Sequence, residues 1–87
     1  MIDSVIVTVK IDNTNKEFDL ELPAKMPINE LSEKLIVTLD NIQDDLLYGV
    51  KEIKLKYDIE KRFLEDDETL EDAGIWDGSY LTLIKVV

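Results

Sequence analysis

Val5, Val7, Val9 and Ile11 alternate with Ile6, Thr8 and Lys10, the two-residue period of a strand with one buried face. Asp12-Asn13-Thr14-Asn15 follows as a turn cluster of side chains that bond their own backbone. A second alternating run sets Phe18, Leu20 and Leu22 inward and Glu17, Asp19 and Glu21 outward, so the two runs predict a hairpin with an acidic solvated face. Pro23-Ala24-Lys25-Met26-Pro27 breaks the strand, and Pro27 suits the first turn of a helix, where a missing N–H costs nothing. Ile28, Leu31, Leu35, Leu39, Ile42 and Leu46 then recur at three- and four-residue steps and share one helical face. Glu30 and Glu33 favour its N-terminal dipole, whereas Asp44 and Asp45 sit badly for its C-terminal end. Either the helix stops near Asp40-Asn41 and a second turn follows, or it runs on to Leu47 and those carboxylates await a basic partner. The charge pattern favours the first.

Gly49 punctuates the segment, and Ile53, Leu55 and Tyr57 alternate with Glu52, Lys54 and Lys56 as a third strand. A short extended piece is predicted at Arg62-Phe63-Leu64, then a solvated acidic loop at Glu65-Asp66-Asp67-Glu68. Thr69 to Ile75 reads as one helical turn with Gly74 supplying a left-handed exit, and Asp77-Gly78 as a tight turn. Tyr80 to Val86 forms the last strand, with Leu81 and Leu83 inward. The predicted architecture is α+β: a mixed sheet of four to five strands with one main helix packed across one face, the β-grasp arrangement. Residues 1–87 are expected to form one domain, with no repeat or linker.

Composition narrows the function. Of 87 residues, 45% are apolar and only three are glycine and two proline, which argues for an ordered globule. Twenty acidic against ten basic residues give a formal charge of −10, a surface that repels phosphate backbones and anionic lipid. Direct nucleic-acid binding and membrane insertion are therefore not expected, and no apolar run approaches the ~20 residues that span a bilayer. The start Met1-Ile2-Asp3-Ser4 lacks the basic segment of a secretory signal, and the chain has no cysteine. A cytoplasmic protein is the simplest reading.

Two stretches carry a resemblance. Phe18-Asp19-Leu20-Glu21-Leu22 with Ile28, Leu31 and Leu35 is similar in hydrophobic spacing to the second strand and helix of ubiquitin, and Thr69 to Ile84 follows ubiquitin's closing segment without a gap. More narrowly, the chain resembles the YukD/EsaB-type ubiquitin-like proteins found with bacterial type VII secretion systems. The features are Phe18-Asp19-Leu20-x-Leu22-Pro23-Ala24-x-x-Pro27-Ile28 and Leu70-x-Asp72-x-x-Ile75-x-Asp77-Gly78-x-x-Leu81-x-Leu83. The resemblance implies a cytosolic accessory or regulatory factor of the secretion machinery and carries over no catalytic residue. The sequence ends Ile84-Lys85-Val86-Val87, where a conjugated ubiquitin-like protein carries a flexible glycine pair. Branched residues there do not supply the slender tail that adenylation and transfer need, so neither conjugation nor sulfur carriage is expected. A ubiquitin-like scaffold unconnected to secretion is the alternative.

Enzymatic chemistry finds little purchase. There is no histidine and no cysteine, and Ser4, Ser32 and Ser79 have only carboxylates or lysines near them in sequence. Glu65 to Glu68 lacks the alternating ligands and glycine of a calcium loop, Asp72 and Asp77 match no metal spacing, and the glycines are too scattered for a phosphate loop. No cofactor is expected. Function is therefore sought on binding surfaces. Thr82, Ile84 and Val86 should face away from the helix, with Ile6 and Thr8 of the first strand beside them. Ile6, Ile84 and Val86 are expected to form a small apolar patch rimmed by Lys10, Lys54 and Lys56. Trp76, beside the Asp77-Gly78 turn, is a second candidate, because tryptophan is enriched among interface anchors. Glu17, Asp19 and Glu21 are available to a basic partner. The expected mechanism is docking onto a secretion component or regulator, with Ile84→Asp abolishing binding while leaving the fold. An exposed edge strand leaves a monomer or weak homodimer as the expected states.

Overall fold

A computed structural model describes residues 3–43 and 46–86. The expectations attached to Asp44, Asp45 and the terminal Val87 lie outside the described residues. The elements run β1 (Ser4–Ile11), β2 (Glu17–Pro23), α1 (Ile28–Ile42), β3 (Glu52–Tyr57), β4 (Arg62–Phe63) and β5 (Tyr80–Val86). They form one five-stranded mixed sheet in the order β2-β1-β5-β3-β4. β1 pairs antiparallel with β2 and parallel with β5; β3 pairs antiparallel with both β5 and β4. The helix covers one face, as a β-grasp requires.

Strand parity decides what that helix covers. Val5, Val7, Val9 and Ile11 of β1, Ile53, Leu55 and Tyr57 of β3, and Leu81 and Leu83 of β5 are buried in one cluster with Ile28, Leu31, Leu35 and Leu39 of α1. Each such side chain contributes about 1.5–3 kcal/mol by leaving water. Ile42 departs from expectation: it lies on the last turn of α1 and is half exposed, and Leu46 and Leu47 supply the buried apolar groups beyond it. Phe18 and Leu20 are only partly buried because β2 is an edge strand with a neighbour on one side.

Two local expectations are revised at the ends of α1. Pro27 is the capping residue in an extended conformation, one position before the helix, and its carbonyl accepts the Glu30 and Leu31 N–H groups. No side chain caps this end. Instead the Ile28 and Asn29 N–H groups donate to the carbonyls of Glu68 (2.9 Å) and Asp66 (3.0 Å), so the acidic loop serves as a tertiary cap. Glu68 is not simply solvated either: its carboxylate accepts both terminal nitrogens of Arg62 at 2.9 and 3.1 Å and the Glu65 N–H at 2.7 Å. Its pKa is lowered, chiefly by the Arg62 hydrogen bonds.

The 69–75 segment closes one helical turn. Thr69 and Asp72 cap each other's N–H groups, and Ala73 N–H donates to Thr69 O at 3.1 Å. Gly74, at φ +74, ends it: Ile75 N–H reaches back to Leu70 O and Gly74 N–H to Glu71 O, the paired bonds of a Schellman stop. That stop buries Ile75 and leaves Trp76 outside.

Candidate protein-docking surface

The sheet face opposite the helix is built from the other strand parity: Ser4, Ile6, Thr8 and Lys10 of β1; Tyr80, Thr82, Ile84 and Val86 of β5; Glu52, Lys54 and Lys56 of β3. Their neighbours follow from register. Thr8 lies opposite Tyr80 and Lys10 opposite Thr82 across the β1–β5 pair. On the other side of β5, Lys56 lies opposite Thr82, Lys54 opposite Ile84 and Glu52 opposite Val86.

That register divides the eight residues predicted for the patch. Ile6 stands four positions before Lys10, and Ile84 two positions after Thr82, so Ile6 and Ile84 are about 20 Å apart along parallel strands. The expected apolar patch of Ile6 with Ile84 and Val86 does not form, and Thr8 is likewise displaced from Ile84. One cluster consists of the partly buried Thr82, Ile84 and Val86 with Lys54 and Lys56 at its rim. The other gathers Ile6 and Thr8 near the turn that carries Trp76. Between them, the Asp58 carboxylate accepts the Thr82 hydroxyl at 2.6 Å and the Lys10 ammonium at 2.6 Å. Lys10 is thereby held charged, its pKa raised by the hydrogen bond and charge of Asp58. Its ammonium also stands 5.7 Å from the centre of the Tyr80 ring.

The second cluster is the more exposed. Ile6 is 52% exposed, Trp76 63%, Tyr80 51% and Ile59 80%. Bonds around Asp77-Gly78 hold Ile6 and Trp76 at the turn, and the loop that carries Ile59 is tied to Tyr80 by the Asp58 N–H, which donates to Tyr80 O at 3.4 Å. Asp77 Oδ1 accepts the Ile6 N–H at 2.8 Å, and Gly78 N–H donates to Ile6 O at 2.8 Å. Thr8 N–H donates to Ser79 O at 2.9 Å, while Ser79 Oγ accepts the Trp76 N–H at 3.1 Å. Beside the turn lies an open cleft of about 470 Å³ between residues 57–59 and 77–80. Four large apolar side chains thus stand near a fixed turn that opens onto a shallow cleft.

Tyr80, Ile59 and Asp77 were absent from the sequence-based site. Tyr80 shares parity with Thr82 and Ile84, so the strand pattern contained its orientation. Asp77 is separated by 71 positions from the Ile6 N–H it accepts, and no local signal announces that bond.

With this geometry in view, known proteins give the context. The family profile described as "WXG100 protein secretion system (Wss), protein YukD" matches residues 6–83. The chain belongs to the YukD family. No curated protein matches it significantly. Among solved structures, the YukD-family chain is similar to the ubiquitin-like domain of the Mycobacterium tuberculosis type VII secretion system protein EccD1. That match has 27% identity and a TM-score of 0.72, covering 95% of this chain and 99% of that one. The EccD5 ubiquitin-like domain from Mycobacterium xenopi matches with 17% identity and a TM-score of 0.75, covering 95% and 94%. Ubiquitin from Caldiarchaeum subterraneum matches with 21% identity and a TM-score of 0.69, covering 97% and 95%. The fold is ubiquitin-like. Among the described residues no helix is long and apolar enough to cross a membrane.

Proposed function

We propose that this YukD-family protein is a non-catalytic docking module of a WXG100 (type VII) secretion system, acting in the cytoplasm as a single domain on a protein component or regulator of that machinery. The observation that supports it most is the cluster of Ile6, Trp76, Tyr80 and Ile59 around the Asp77-Gly78 turn. Singly exposed apolar residues are ordinary on any surface, but a group beside a cleft favours a partner. Aromatic side chains anchor interfaces because a large rigid surface is buried at little conformational cost. The absence of histidine and cysteine from the sequence leaves general acid–base and thiol chemistry without their usual groups. Type VII components carrying the same fold provide the setting.

Binding of the purified chain to the detergent-solubilised membrane complex of its own secretion system tests this. Trp76→Ala is expected to weaken association at least about tenfold with the fold retained. Ile84→Asp, at the far end of the face, tests the other cluster separately. Loss with Ile84→Asp and none with Trp76→Ala would move the contact and overturn the assignment to Trp76.

A further inference from the structure

We propose that the free edge of β2 is a second docking site, which takes an extended partner segment of alternating basic and apolar residues as a sixth strand. This names a surface apart from the Trp76 cluster and rests on separate observations. β2 is the terminal strand of the sheet. In its antiparallel pairing with β1, Ile11 N–H donates to Lys16 O and Ala24 N–H to Asp3 O, which fixes which residues bond inward. By alternation Phe18, Leu20 and Leu22 exchange bonds with β1, and the N–H and C=O groups of Glu17, Asp19 and Glu21 point to the open edge. At the opposite end of the sheet β4 has only two residues and offers no comparable ladder.

Side chains say what kind of strand fits. On the outer face Glu17, Asp19 and Glu21 are exposed and all acidic. Asp19 and Glu21 each use one carboxylate oxygen on a β1 hydroxyl, Thr8 and Ser4, both at 2.6 Å. On the helix side Phe18 and Leu20 are left partly uncovered. A segment laid along this edge therefore meets negative charge and apolar surface at alternate positions, and Lys/Arg–apolar alternation complements both. A second copy of this chain pairing through β2 would set carboxylates against carboxylates, which is destabilising. The same charges that protect the edge from self-association select a basic strand.

The test uses the full isotope-labelled chain and a nine-residue peptide of alternating lysine and valine, followed by NMR. A control peptide replaces the valines by proline, keeping the charge but blocking strand pairing. The expected result is perturbation and slowed exchange at the Glu17, Asp19 and Glu21 amides, with the proline peptide at least tenfold weaker. Combined Asp19→Lys and Glu21→Lys should weaken the lysine–valine peptide by roughly tenfold. Asp19→Pro removes the N–H aimed at the free edge, together with the carboxylate that accepts the Thr8 hydroxyl, and should abolish the protection. The lysine variants leave the β1–β2 ladder intact and decide the question should Asp19→Pro not fold. Equal binding of the two peptides, shifts lying elsewhere, or a β2-paired dimer of the free chain would each overturn the proposal.

Discussion

Gly74 separates a conformational cost from a steric one. Its φ of +74 lies in the left-handed region, and it forms the Schellman stop that buries Ile75 and projects Trp76. A methyl group there would meet no heavy atom within 4 Å beyond its chain neighbours. The cost of Gly74→Ala is then the left-handed backbone alone, about 1–2 kcal/mol for an L-residue. For a domain of this size that lowers Tm by roughly 4–8 °C per kcal/mol. Gly74→Asn should lose less, because asparagine tolerates this region. Urea unfolding and thermal melts of the two variants measure this. A loss above ~3 kcal/mol for alanine, or an equal loss for asparagine, would mean that the added side chain collides with something and that the reasoning is wrong.

Other expectations are as direct. Glu68 is held below its ordinary value of 4.5, chiefly by Arg62, so its contribution is in place above 4.5 and is lost as pH falls through the lowered folded value. The stability difference between the native chain and Glu68→Gln should therefore be constant well above pH 4.5 and shrink as pH falls below it in urea titrations. A difference that stays constant through that fall would show that the ion pair contributes nothing through its charge. Lys61 sits at φ +54 in the β3–β4 turn, and Lys61→Gly should raise stability by several tenths to ~1 kcal/mol in thermal melts. Leu81, fully buried on β5, should cost about 2–5 kcal/mol as Leu81→Ala in denaturant unfolding.

Particular residues show what a linear sequence makes legible. The parity of Val5 to Ile11 and of Tyr80 to Val86, and the helical spacing from Ile28 to Leu39, are local patterns. Each appears in the structure with the faces it predicts. The resemblance carried by Phe18 to Ile28 and Leu70 to Leu83 reached the YukD family for the same reason, since those motifs encode strand ends and turns. The relative offset of β1 and β5 is different in kind. Two parallel strands from opposite ends of the chain have no connecting turn to fix their register, so placing Ile6 beside Ile84 misjudged a tertiary fact. The cap on α1 was equally hidden, because the carbonyls of Asp66 and Glu68 carry no side-chain signature. Ile42 fits the helical period yet sits where α1 ends, and periodicity alone does not tell how far a core extends.

Photo-crosslinking in the living source cell is the most direct test of docking through the Trp76 cluster. Benzoylphenylalanine is placed at position 76, at position 80, and at Val37, which is exposed on the far side of α1. Adducts from positions 76 and 80 to a component or regulator of the secretion system, with none from 37, are the expected result. Equal adducts from 37, or adducts from 76 and 80 only to proteins outside the machinery, would refute docking through this face.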